Sequence, residues 1–203
     1  MSLIHKVNPV VVPFLDSKAI MQAVKEPIDS GLAFHGHVQL DHYRKGDLIH
    51  TQQGSNTFCT EGMAYMLNIM FFTNSKAGSA IFYTGIFKNN VTPAVGDTAV
   101  AKLGAAGTYG ECQDADYSTP ITNKSSYVVV STATASCTNA AAAASFTIAP
   151  AASFTVYGAF LGTGQAKTDI SGVLMCAKKF GSARAVIAAD VLAVTYLITC
   201  TTS

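Results

Sequence analysis

Val191-Leu192-Ala193-Val194-Thr195-Tyr196-Leu197-Ile198-Thr199-Cys200 decides the fold class. In an extended chain successive side chains point to opposite faces. Leu192, Val194, Tyr196, Ile198 and Cys200 therefore share one face, and Ala193, Thr195, Leu197 and Thr199 the other. β-Branched and aromatic residues dominate the run, as a pleated surface prefers. Working back from it, the same reading predicts strands over 172–177, 154–161, 145–148, 127–131 and 80–87. The last of these, Ala80-Ile81-Phe82-Tyr83-Thr84-Gly85-Ile86-Phe87, is apolar on both faces and belongs in the middle of a sheet. Residues 91–97 and the alanine-rich stretch 137–145 read as loops.

Nearer the start, His37-Val38-Gln39-Leu40-Asp41-His42 alternates, Lys45-Gly46-Asp47 supplies a turn, and Leu48-Ile49-His50 returns, which is a hairpin signal. Met63, Met66, Leu67, Met70 and Phe71 then recur at helical spacing, so a helix opening at Thr60 is expected. With Glu61 in its first turn it should plug one end of a β core. About eight short strands separated by turns make an antiparallel β-sandwich, jelly-roll or Ig-like, with one short amphipathic helix and an N-terminal arm. The division is arm 1–34 and mainly β body 35–203.

The arm differs in character from the body. Val10, Val11, Val12 and Phe14 are apolar but fenced by Pro9 and Pro13, and proline does not sit in a central strand. Residues 17–26 suit a short helix, capped by Ser17 or Asp16 and ended by Pro27, with Ile20, Met21 and Val24 on one face. Those seven apolar residues are the expected assembly contacts with a neighbouring subunit.

Composition points the same way. Of 203 residues, 49% are hydrophobic and 12% charged, where ordinary soluble domains carry about 25% charge. Such a surface suits a subunit that is covered in use, because interface cores are depleted of charge. The net charge of +1 gives no field for steering toward nucleic acid or an acidic membrane. No segment reaches the ~20 apolar residues of a membrane-spanning helix, and prolines interrupt the start, so no direct nucleic-acid partner, membrane or export is expected. The five cysteines, Cys59, Cys112, Cys137, Cys176 and Cys200, lack paired spacings and read as free thiols.

Chemistry is poorly represented. There is no G-x-S-x-G elbow, and the Gly-rich stretches 104–110 and 162–167 fit no nucleotide fingerprint. His35 and His37, two apart on one strand, could share a metal with Asp41, and the run with Gly31 and Gly46 faintly resembles the first motif of cupins. No histidine follows His50, where a cupin would supply another ligand. Asp114 and Asp116 with Glu111 are too few for a calcium loop. No cofactor, metal or catalytic residue is expected.

One ordered series of motifs resembles a family. Val38-Gln39-Leu40-Asp41-His42-Tyr43-Arg44-Lys45-Gly46-Asp47-Leu48-Ile49-His50, Asn56, Thr60-Glu61-Gly62 and Leu67 look like the opening of small tailed-bacteriophage virion structural proteins. Residues 81–87, Pro93, Asp97-Thr98, 146–148, 156–161 and 190–196 continue the likeness, which covers about 36–200. The resemblance implies a β-sandwich subunit of the virion, assembled in the host cytoplasm, that packs on the major capsid protein or other virion proteins and on copies of itself. A capsid decoration (cement) protein is the leading expectation. A tail, collar or fibre component, a cupin-like metal-binding module and a carbohydrate- or receptor-binding module are the alternatives.

Overall fold

The computed structural model describes residues 32–72, 82–129, 134–167 and 169–202. The arm residues Val10, Val11, Val12, Phe14, Ile20, Met21 and Val24 lie outside the described residues. The first strand, β1 (Leu32–Arg44), turns through Lys45 and Gly46 into β2 (Asp47–Ser55). Both turn residues have positive φ, 54° and 90°. A two-residue turn of that hand matches the right-handed strand twist, and glycine accepts it without strain. The register sets Arg44 opposite Asp47, and a bulge follows between His42 and Tyr43.

After β3 (Thr57–Phe58) comes helix α1 (Thr60–Phe71), then β4 (Tyr83–Phe87), the helical turn α2 (Ala99–Lys102), β5 (Tyr117–Thr119), β6 (Ser125–Ser126) and β7 (Ser136–Thr138). A short 3-10 turn at Ala140–Ala142 leads into β8 (Ala144–Ile148), β9 (Ser153–Gly162), β10 (Leu174–Ile187) and β11 (Val191–Thr202). One sheet runs β2-β1-β11-β8-β5, with β7 also on β11; the other runs β3-β10-β9-β4-β6. Val38 and Leu40 of β1, Phe146 of β8 and Leu192, Val194 and Tyr196 of β11 share one buried cluster with Ile86, Leu161 and Met175 of the second sheet. Two sheets whose inner faces interdigitate are a sandwich, and the mainly β antiparallel architecture expected from the sequence is the one observed.

The second sheet has a further layer outside it. Phe87, Phe160, Leu174 and Ala177 pack with Cys59, Ala99, Leu103 and Tyr109 in a separate cluster. The loop and α2 that follow β4 thus cover its outer side, and all five β4 residues are buried. This double burial explains why β4 reads as a continuous apolar run rather than an alternating one.

Four readings change. Tyr127-Val128-Val129 is not strand: β6 ends at Ser126, and beyond it the Tyr127 N–H donates to the Phe82 carbonyl. Residues 130 and 131 lie outside the described residues. Strand β10 extends ten residues beyond Ala177, to Ile187, through a register shift between Lys179 and Arg184. That irregularity also breaks the alternation of β9, so Val156 joins the same core as Ala159 and Leu161. The loop expected over 137–145 holds structure of its own: Cys137 and Thr138 belong to β7, paired with β11, and Ala140–Ala142 forms a helical turn.

The fourth change concerns α1. Gly62, the only fully buried residue of the helix, sits where Met175 of β10 crosses, and a Cβ there would lie 2.5 Å from the Met175 Cα. That close approach fixes which side of the helix turns inward. Gly62, Tyr65, Met66 and Ile69 form the inner stripe. Leu67, Met70 and Phe71, expected to face the core, lie about a quarter to half a turn away and are exposed.

Candidate functional site

Beneath α1 the two sheets part and leave a cavity of about 400 Å³. Phe34 comes from β1, Met66 and Met70 from α1, Leu161 from β9, Met175 from β10 and Ile198 from β11. Phe82, Val128 and Val129 complete one side. Among the described residues, none of the lining side chains is charged. The polar groups there, the Tyr127 hydroxyl and Cys137, contact each other: the hydroxyl donates to the Cys137 carbonyl at 3.3 Å. Burial raises the Tyr127 hydroxyl far above its usual range, so it stays protonated and available as that donor.

The apolar surface continues outward from the cavity. Phe71 is 77% exposed and Phe72 70%, and Leu67, Met70 and Val128 are each more than half exposed. Met70 and Val128 line the cavity as well, so cavity and outer face are continuous. Contiguous exposed apolar area of this kind marks a surface used for binding. The sequence supplied the helix but not its orientation; the stripe at i, i+3, i+4 was visible, and the crossing at Gly62 was not.

The remaining polar clusters serve the fold. His42 continues the inward-facing series of Val38 and Leu40, so it is fully buried, and its Nε2 donates to Asp190 Oδ2 at 2.9 Å. Arg44 grips the same carboxylate with two bonds, 2.9 and 2.7 Å. Asp190 also accepts the Ile187 N–H and so closes the β10–β11 turn. The Arg44 guanidinium, the backbone N–H and His42 together hold the Asp190 carboxyl well below the usual carboxylate range, outweighing its burial. Period two places His42 on the same inward face as Val38 and Leu40.

Those two histidines do not converge. His35 bonds the Thr201 hydroxyl at 3.1 Å, and His37 lies 3.4 Å from the Gln53 carboxamide oxygen. Asp41 instead accepts from Gln39 and Thr51. Among the described residues no group of three or more His, Cys, Asp or Glu side chains is placed to hold a metal ion. The acidic residues 111, 114 and 116 are separated by their partners: Glu111 pairs with Lys124, Asp114 with Lys167 and Asp116 with Lys88. The Gly-rich stretch at 162–167 wraps the Lys124 ammonium through the Gly164 and Ala166 carbonyls. The five cysteines are free thiols, three of them buried, and burial pushes the Cys59 thiol up to about 12.

Among the described residues no helix is long and apolar enough to cross a membrane. Compared with protein-family models, curated proteins and solved structures, the chain finds no match.

Proposed function

We propose that this chain is a non-enzymatic structural subunit of a virion of the tailed-bacteriophage type. Capsid decoration is the role favoured, with the subunit packing on the major capsid protein and on its own copies. The observation that carries the reading is the continuous apolar face of Leu67, Met70, Phe71 and Phe72, opening into the cavity beneath α1. A chain with 12% charged residues gains little from leaving that face in water. Covering it on a neighbour contributes about 25 cal/mol per Å² of apolar area, multiplied where several neighbours are engaged. The motif series from Val38 to Tyr196 supports the virion assignment, and the sandwich supplies a rigid platform for the face.

Sedimentation velocity of the purified chain, together with binding to empty heads of the parent virus, tests this. The wild-type chain is expected to self-associate and to bind heads saturably. Phe71→Glu is expected to weaken association roughly 30-fold or more, the effect of losing a central aromatic anchor. Thermal stability should hardly change, because Phe71 is exposed. A wild-type chain that neither self-associates nor binds heads would overturn the reading. Labelling on intact particles separates head from tail placement. The cavity itself favours one second reading, an apolar small-molecule site, since 300–1,000 Å³ is the usual size of such pockets; mass spectrometry of the native protein would show the bound compound.

A further inference from the structure

We infer that the corner where β2 meets β10 is an acid-operated latch, closed while His42 and His50 are neutral and opened when that pair takes up protons, so that β2 parts from residues 181–183 of β10. Polar contacts build the corner. Strand β2 contributes no buried residue. Strand β10 leaves its ladder to reach it: Lys179 pairs with Gly158 and Arg184 with Val156, so Phe180 to Ala183 stand against Tyr157 alone. Phe180 turns into the core, while Gly181, Ser182 and Ala183 are exposed. The Gln52 carboxamide bonds this bulged backbone twice, donating to the Ser182 carbonyl at 2.9 Å and accepting the Ser182 N–H at 3.1 Å. Two residues before Gln52, His50 lies opposite His42 in the register of β1 and β2.

Both ring nitrogens of His42 are committed, and their partners fix the proton. Nε2 faces the Asp190 carboxylate, which only accepts, and Nδ1 lies 3.4 Å from the Arg184 guanidinium, which only donates. The closed corner therefore holds a neutral ring with its proton on Nε2. A second proton would set N–H against N–H, and the fully buried ring has no water to turn to. The charges around the pair leave no relief. Arg184 comes from β10, Arg44 from β1 and Asp190 from the β10–β11 turn, and Lys178 of β10 lays its ammonium against Gly54 of β2. Asp41 is bonded to Thr51 instead, and Asp47 lies in the exposed turn. The one carboxylate facing the pair, Asp190, is already gripped twice by Arg44. Burial, then Arg184 and His42, lower the pKa of His50. A group lowered in the fold stabilises it above the unfolded value, about 6.5 for histidine, and loses that contribution as pH falls through the folded value. The latch is thus closed at neutral pH and opens in mild acid. Opening also returns to water His50 Nε2 and Arg184 Nε, which are buried with no hydrogen-bond partner among the described residues.

Hydrogen exchange of the dilute full-length chain tests the latch. It is read by mass spectrometry as protection factors at about pH 7.5 and about pH 5, either side of the ordinary histidine titration. Peptides covering 47–55 and 181–184 are expected to lose protection about tenfold or more in acid, while peptides from β8 and β9 keep theirs. Arg184→Gln keeps a donor toward His42 Nδ1 but removes the charge, so its loss should be no more than about threefold. His50→Gln, at a partly exposed position, removes one of the two titrating rings and should blunt the loss in the same way. It decides alone if Arg184→Gln does not fold. Protection of 47–55 and 181–184 that is equal at both pH values in the wild-type chain would overturn the inference. So would protection lost across β8 and β9 as well, which is acid unfolding of the whole body, or a loss as large in the variants as in wild type, which assigns the protons to other groups.

Discussion

Replacing Lys124 with methionine is expected to cost about 3–5 kcal/mol of stability, the typical penalty for removing one partner of a buried ion pair. The Lys124 side chain is 1% exposed and its ammonium lies 3.2 Å from Glu111 Oε1. It also donates to the carbonyls of Gly164, Ala166 and Asp169, while Glu111 Oε2 accepts the Gly104 N–H at 2.7 Å. One ammonium thus ties the loop after α2 to the loop after β9. Methionine fills similar volume but leaves those oxygens facing a thioether, and an uncompensated buried acceptor costs its full desolvation. Burial already raises the Glu111 carboxyl to about 7, and Lys124 pulls in the opposite direction. Without Lys124 the carboxyl rises further. A group whose folded pKa is raised stabilises the fold below its unfolded value and loses that contribution as pH rises through the folded one. The deficit of Lys124→Met should therefore be larger at pH 8 than at pH 5, read by urea denaturation at both. A loss below about 1 kcal/mol, small beside the buried-pair penalty, would show that the pair does not hold the loops.

Gly62→Ala is expected to destabilise the protein by about 1–3 kcal/mol, the usual cost of overpacking. The sign is informative. In an exposed helix the same change stabilises by up to about 1 kcal/mol, because alanine loses less backbone freedom. Here the new methyl would meet backbone, 2.5 Å from the Met175 Cα and 2.6 Å from its carbonyl oxygen, which no rotamer change relieves. Helix α1 must lift from β10, taking Met66 and Met70 with it and widening the cavity that they line. Gly62→Ala should therefore lower the melting temperature and weaken self-association together, whereas Phe71→Glu affects association alone. A stabilised Gly62→Ala chain would mean that α1 does not sit on β10 as described.

These two positions show where sequence reading stops. The period-two run from Val191 to Cys200 appears as β11, with Leu192, Val194 and Tyr196 fully buried, since alternation and burial are the same fact seen twice. The hairpin at Lys45-Gly46 was legible because turn length and glycine fix its geometry. Strand β10 was legible only in its first four residues, Leu174 to Ala177: Lys178, Lys179, Gly181 and Ser182 interrupt the apolar pattern, yet the chain continues across its irregular register with β9. Tyr127-Val128-Val129 has the residue types of a strand, but these residues lie outside β6 and help to line the cavity. Nothing in the spacing around Lys124 shows that carbonyls about 40 residues away close over it. The candidate face was half visible: the apolar stripe of α1 could be counted, but the side turned outward depends on a contact with Met175, far along the chain.

The central claim is that the apolar face of α1 is covered when the protein is at work. Hydroxyl-radical footprinting, comparing dilute dispersed chain with the assembled state, measures this directly. Met70, Phe71 and Phe72 should be modified readily in the dispersed chain and become strongly protected on assembly, while the exposed side chain of Ile121 keeps its reactivity. Equal modification of Met70 and Phe71 in the two states would mean that the face stays in water and that assembly, if it occurs, uses another surface.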